Sequence, residues 1–197
     1  MLEEKVEKSP QTILYLKKIK RENRRKFIKK HKYLFRIGIT IIALLIILCI
    51  SISIWFLSMD KIDSLSMSGT LNIGDRVKVD ESITNIERGR VYKFEKDGEI
   101  YYQRCIGVGG DNIRVENDDV YVNLILFSEG YVSSKMKSLI NLEVNIPEDK
   151  YFFMGDNRNN SVDSRYWADK FIDKDDIIGE VTEIEYPFDR AKEIKYY

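Results

Sequence analysis

The chain predicts a mainly β protein: an antiparallel β ectodomain anchored by one N-terminal transmembrane helix. Three observations carry that reading. No charged side chain interrupts Ile37 to Leu57. The chain is formally neutral, yet residues 1–36 carry +9 and the remainder −9. Beyond Ile62, apolar residues alternate with polar ones at period two in short runs, broken by Gly, Asp and Asn.

Residues 1–36 form a basic tail in which Lys17 to Lys32 holds Glu22 as its only acid and Arg36 marks the edge. Alone, such a run would be a solvated face or a nucleic-acid contact. The adjoining apolar run changes the reading, and no nucleic-acid partner is expected. Residues 37–57 reach about 31 Å as a helix, against a hydrocarbon core of about 30 Å. Thr40, Ser51 and Ser53 are their only hydroxyls, too few for the polar face a soluble core helix would show. The basic flank places the N-terminus in the cytoplasm and residues 58–197 outside the cell membrane, a single-pass arrangement. A cleaved signal sequence fits poorly: the run exceeds the usual 7 to 15 residues, and Trp55 to Asp60 offers no small-x-small cleavage site. Trp55 suits an interfacial anchor.

In the ectodomain, Arg76–Asp80, Val91–Glu95 and Asp119–Asn123 alternate as strands, and Lys96–Glu99 turns the second of them into Ile100–Tyr102 as a hairpin. Turn signals recur at Gly74-Asp75 and Gly109–Asn112. Tyr151–Met154 is an apolar strand. Tyr121, Leu124, Ile125, Leu126 and Phe127 are expected in a core or a lid. Cys49 falls in the span and Cys105 in the ectodomain, so the two cannot meet the roughly 4.4 to 6.8 Å Cα separation of a disulfide. The only histidine is His31, in the basic tail. Histidine triads and histidine metal sites are thereby excluded from the ectodomain, and neither a metal nor a cofactor is expected.

The densest stretch is Gly155-Asp156-Asn157-Arg158-Asn159-Asn160-Ser161-Val162-Asp163-Ser164-Arg165. Short Asn, Asp and Ser side chains favour an ordered loop over a helix or ladder, and Asp163 can pair with Arg165. A calcium loop is disfavoured, because Arg158 stands where an oxygen ligand is needed and no closing glutamate follows at the required spacing. Gly-Asp-Asn-Arg-x-x-Ser-x-Asp-Ser-Arg closely resembles the last motif of the type I signal peptidases, membrane-anchored serine proteases with a Ser-Lys dyad.

Ser64-Leu65-Ser66-Met67-Ser68-Gly69-Thr70-Leu71, with Gly74-Asp75 after it, resembles that family's nucleophile segment. The resemblance puts Ser66 at the nucleophile position and makes Ser64 and the Ser66 amide candidates for the oxyanion hole. It also places Met67 and Tyr102 among the substrate-binding positions, and Ser161, Asp163 and Arg165 as support for the site. Gly69 replaces the usual proline. Tyr102-Gln103-Arg104-Cys105-Ile106-Gly107-Val108-Gly109-Gly110-Asp111 resembles the general-base motif, and Gln103 occupies the position of the catalytic lysine.

A buried lysine can deprotonate a serine because desolvation depresses its pKa; a glutamine amide has no proton-binding equilibrium near neutrality. Two readings stay open. In one, the cleft still holds signal-peptide-like segments of preproteins with impaired catalysis, and assists surface-protein or pilus assembly with pilin subunits or a sortase as partners. In the other, the protein is a working signal peptidase with a different base, for which Lys135 and Lys137 are the candidates. The resemblance spans about residues 37–190, and its variable region, residues 115–145, forms a second small β subdomain in relatives.

Overall fold

The computed structural model describes residues 10–117, 119–132 and 140–196. They fall into two units, one ending at Leu57 and the other beginning at Ser58. The first is a single helix, α1 (Pro10–Ser58). Proline suits its first turn, where a missing N–H leaves no bond unmade, and no proline interrupts its later turns. The change from basic to apolar composition after residue 36 does not break the backbone. α1 is long and apolar enough to cross a membrane.

The second unit is built from β1 (Asp60–Lys61), β2 (Arg76–Asp80), β3 (Val91–Lys96), β4 (Glu99–Gly107), β5 (Asn112–Glu116), β6 (Asp119–Val122), β7 (Ile125–Leu126), β8 (Leu142–Asn145), β9 (Lys150–Met154), β10 (Ile172–Asp173), β11 (Ile177–Tyr186) and β12 (Lys192–Glu193). The larger sheet runs β1-β2-β11-β3-β4-β9-β10, with β12 also on β11, and the smaller runs β7-β6-β5-β8. Every pairing among them is antiparallel.

The period-two runs are strands because one face of each meets a core. In β2, Val77 is fully buried while Lys78 is exposed. β3 and β4 form the expected hairpin through Asp97-Gly98, in the register Val91↔Arg104, Tyr92↔Gln103 and Lys93↔Tyr102. Tyr92, Phe94, Cys105, Phe153 and Ile172 pack on one side of it. Ile62, Met67, Leu71, Val77 and Val181 form a second cluster. The third joins Ile106, Phe152 and Met154 of the larger sheet to Ile113, Val115, Val120 and Val122 of the smaller.

One expectation fails in part. Tyr121 and Phe127 are half-buried, but Leu124, Ile125 and Leu126 are exposed. Asn123 and Leu124 both take positive φ (51° and 69°), so they make the β6–β7 turn and carry the aliphatic side chains outward. The two cysteines are free.

Candidate active site

Segment 64–70 is fastened to the 155–165 loop by bonds that span the chain. The Asn157 amide N–H donates to the Ser66 carbonyl at 2.8 Å, and its side-chain Nδ2 donates to the Leu65 carbonyl at 3.0 Å. The Thr70 hydroxyl donates to Asp156 Oδ2 at 2.6 Å, and the Asp156 N–H points at Met67 Sδ at 3.3 Å. Gly155 sits where these parts converge. A Cβ there would lie 2.3 Å from Ser161 Oγ and 2.6 Å from the Ser66 carbonyl oxygen, so only glycine lets the two serines approach.

Two buried ion pairs hold the loop from behind. Arg165 donates Nε to Asp163 Oδ1 and Nη2 to Oδ2, both at 2.7 Å, and the second oxygen also accepts the Gly155 N–H at 3.0 Å. Arg104 donates Nε to Asp156 Oδ1 at 2.9 Å and Nη2 to Oδ2 at 2.6 Å. Both pairs are fully inaccessible. Arg158, which donates Nε to the Gly155 carbonyl at 3.0 Å, is paired with Glu129, and Tyr131 lies beneath the Arg104 guanidinium at 4.1 Å. These planar, multidentate bonds brace the loop, and no cluster of metal-ligating side chains occurs among the described residues.

Gln103, on β4, is fully buried and reaches the same place. Its Nε2 donates to the Val162 carbonyl at 2.9 Å and approaches Ser161 Oγ at 3.4 Å. A carbonyl can only accept, so the nitrogen end of the amide must face Val162. Oε1 is left buried with no hydrogen-bond partner. Arg104, next along the strand, points to the opposite face and onto Asp156, as strand alternation requires.

The Ser64 and Ser66 hydroxyls lie 3.2 Å apart, and the Ser66 N–H donates to Ser64 Oγ at 3.2 Å. Among the described residues, no amine hydrogen-bonds Ser66 Oγ, and Gln103 does not reach it either. Lys135 and Lys137 lie outside the described residues. Met67 is buried in the core and not turned to solvent, with 1% exposure. Tyr102 is half-buried against the same cluster, and its phenol is pushed up by burial and by the nearby Asp60 and Asp63 charges. Burial likewise pushes up the Cys105 thiol, which makes it a poor nucleophile.

Gly69 has φ +106°, outside the range of proline and of most L-residues, and its N–H donates to Asn72 Oδ1 at 3.2 Å. The backbone here is built for glycine, and the proline of the resembling motif does not fit it. Gly69→Pro is expected to lower the midpoint of thermal unfolding by several degrees, with Gly69→Ala in between. An unchanged midpoint for the proline variant would show that the segment adopts another conformation.

Residue types and spacing do not single out Asn157, Thr70, Asp156 or Glu129. The first three stand inside the quoted motifs, but their partners are far away in sequence. Glu129 falls in the region treated as variable.

A helix long and apolar enough to span a membrane, followed by an antiparallel β domain that fastens a Ser-Met segment to a Gly-Asp-Asn-Arg loop, is the arrangement that the resemblance leads one to expect of a membrane-anchored serine peptidase. The model of the family described as "Signal peptidase, peptidase S26" matches residues 34–186. Signal peptidase I U of Bacillus subtilis is 31% identical over 181 residues, covering 85% of this chain and 96% of that protein. A signal peptidase I of Bacillus amyloliquefaciens is 31% identical over 166 residues, 78% and 89% of the two chains. A crystal structure of signal peptidase I from Enterococcus faecalis superimposes with a TM-score of 0.46 and 26% identity, covering 51% of this chain and all of that one. The chain belongs to the type I signal peptidase family.

Proposed function

We propose that this protein is a membrane-anchored signal peptidase homologue, N-terminus cytoplasmic and β domain outside. Its cleft takes up extended, signal-peptide-like segments of preproteins but turns them over slowly or not at all. The observation that carries the reading is the amide of Gln103. It projects from β4, buried against the loop that supports Ser66, and spends its donors on Val162 and Ser161. A serine hydroxyl needs a base to become a nucleophile, and an amide cannot be one.

The rest of the site supports binding. The Ser64 hydroxyl and Ser66 amide are joined by long bonds that an incoming carbonyl oxygen can displace, giving it two donors. Ser161, Asp163 and Arg165 brace the loop, and Tyr102 packs against the cluster that holds Met67. A role in surface or pilus assembly, with a pilin subunit or sortase as partner, rests on the sequence resemblance alone.

The test uses the full chain in liposomes with a preprotein. Saturable binding is expected, with cleavage absent or slow beside that of the Gln103→Lys variant. Cleavage as fast as that variant's that disappears in Ser66→Ala would establish a working peptidase and end this reading.

A further inference from the structure

The basic run has a feature that membrane orientation alone does not require. Lys17, Arg21, Arg25, Lys29, Lys32 and Arg36 recur at spacings of three or four residues, which places them in one stripe along α1. Ile28 and Phe35 interrupt the basic stripe itself, while Leu16, Ile19, Phe27 and Leu34 fall on the opposite side and are 36–63% exposed. Lys20 and Lys30 share that side, where long stems can lie along an apolar surface with their charges turned away. A basic face backed by Leu, Ile and Phe is the pattern of a helix that lies in a membrane interface.

A straight continuation of the span would defeat it. Lys17 would stand about 32 Å along the axis from Gly38, far beyond a Debye length of about 8 Å. α1 runs unbroken through Gly38, and a bend there would resolve the conflict. Gly38 is the only glycine in α1, it sits where the basic run meets the apolar span, and a Cβ there would meet nothing within 4 Å. No described residue packs closely at that position, and glycine weakens a helix relative to alanine.

We infer that the basic run of α1 docks on the anionic lipid headgroups of the membrane in which the chain is anchored, bending at Gly38 to reach them. Charge complementarity favours that surface, and the span keeps it permanently adjacent. A polynucleotide would use the basic stripe but leaves the apolar line without a role.

The experiment places the full chain in nanodiscs of zwitterionic lipid, or of the same lipid with about a third replaced by an anionic one, at low salt. Trypsin cleavage between residues 17 and 36 is followed by mass spectrometry. Cleavage is expected to be several-fold slower in the anionic discs, with the difference abolished at high salt. The anionic-to-zwitterionic ratio is expected to move towards one in Gly38→Ala, which stiffens the helix without touching a charge. Equal rates in both discs at low salt would overturn the inference. So would an unchanged ratio in Gly38→Ala, or stronger protection by added RNA in zwitterionic discs than by anionic lipid.

Discussion

Gln103→Lys is expected to turn this protein into an efficient peptidase, with a rate gain on the order of 10³-fold or more, because losing one member of a catalytic unit costs roughly 10⁴ to 10⁶. The surroundings already suit an amine. Val162 offers a carbonyl oxygen at 2.9 Å and Ser161 a hydroxyl at 3.4 Å from the present Nε2. A lysine is one bond longer than a glutamine, so its nitrogen reaches further from β4. The substitution also removes Oε1, a buried acceptor without a partner, whose presence costs about 1–3 kcal/mol.

Burial disfavours the ammonium, so the folded-state pKa of the introduced lysine falls below its unfolded value of about 10.4. Between those two values the unfolded chain binds more protons. Stability therefore rises with pH through the folded pKa and levels off at the unfolded one. Cleavage by the variant should climb over the lower part of the same window, as neutral amine accumulates. The unaltered chain should show neither trend, and Ser66→Ala in the variant should abolish the gain. A folded Gln103→Lys protein that binds a preprotein and still does not cut it would show that the site lacks more than its base.

Much of the fold was legible because it rests on local rules. Val77 and Val79 alternate with Arg76, Lys78 and Asp80, and only one face of that strand meets the core. Tyr151 to Met154 are all buried, which an unbroken apolar run anticipates. Leu124 to Leu126 misled because their exposure is decided by two left-handed residues at Asn123 and Leu124, neither of them glycine. β11 extends to Tyr186 because β2, β3 and β12 supply its hydrogen bonds, which its own alternation of Glu and apolar residues only partly reveals.

The site was legible as two motifs and a departure from a third. What joins them was not. Asn157 binds residues 65 and 66, and Thr70 binds Asp156, contacts that no spacing rule foretells. Gly69 was readable as a missing proline, yet the positive φ that forbids proline there comes from the folded backbone.

Asp156→Ala is expected to destabilise the β domain by roughly 3–5 kcal/mol, the cost of leaving a buried charge without its counter-ion. Arg104 is wholly inaccessible, and two of its nitrogens lie on that one carboxylate. The carbonyls of Gly89 and Lys195 take Nη1 at 2.5 and 3.2 Å, but neither carries a full negative charge to offset the guanidinium. For a domain of this size the loss corresponds to a drop in thermal midpoint on the order of 10 °C. Thr70→Val removes only one hydroxyl from the same carboxylate and should cost about 1 kcal/mol. Arg104→Met combined with Asp156→Leu removes both charges together, so it should lose less than the two single substitutions added, a coupling that a double-mutant cycle in urea measures directly. Additive losses, or an Asp156→Ala midpoint within a degree or two of the unaltered protein, would mean that the Ser66 segment is held in place by the Asn157 and Gly155 contacts and not by this ion pair.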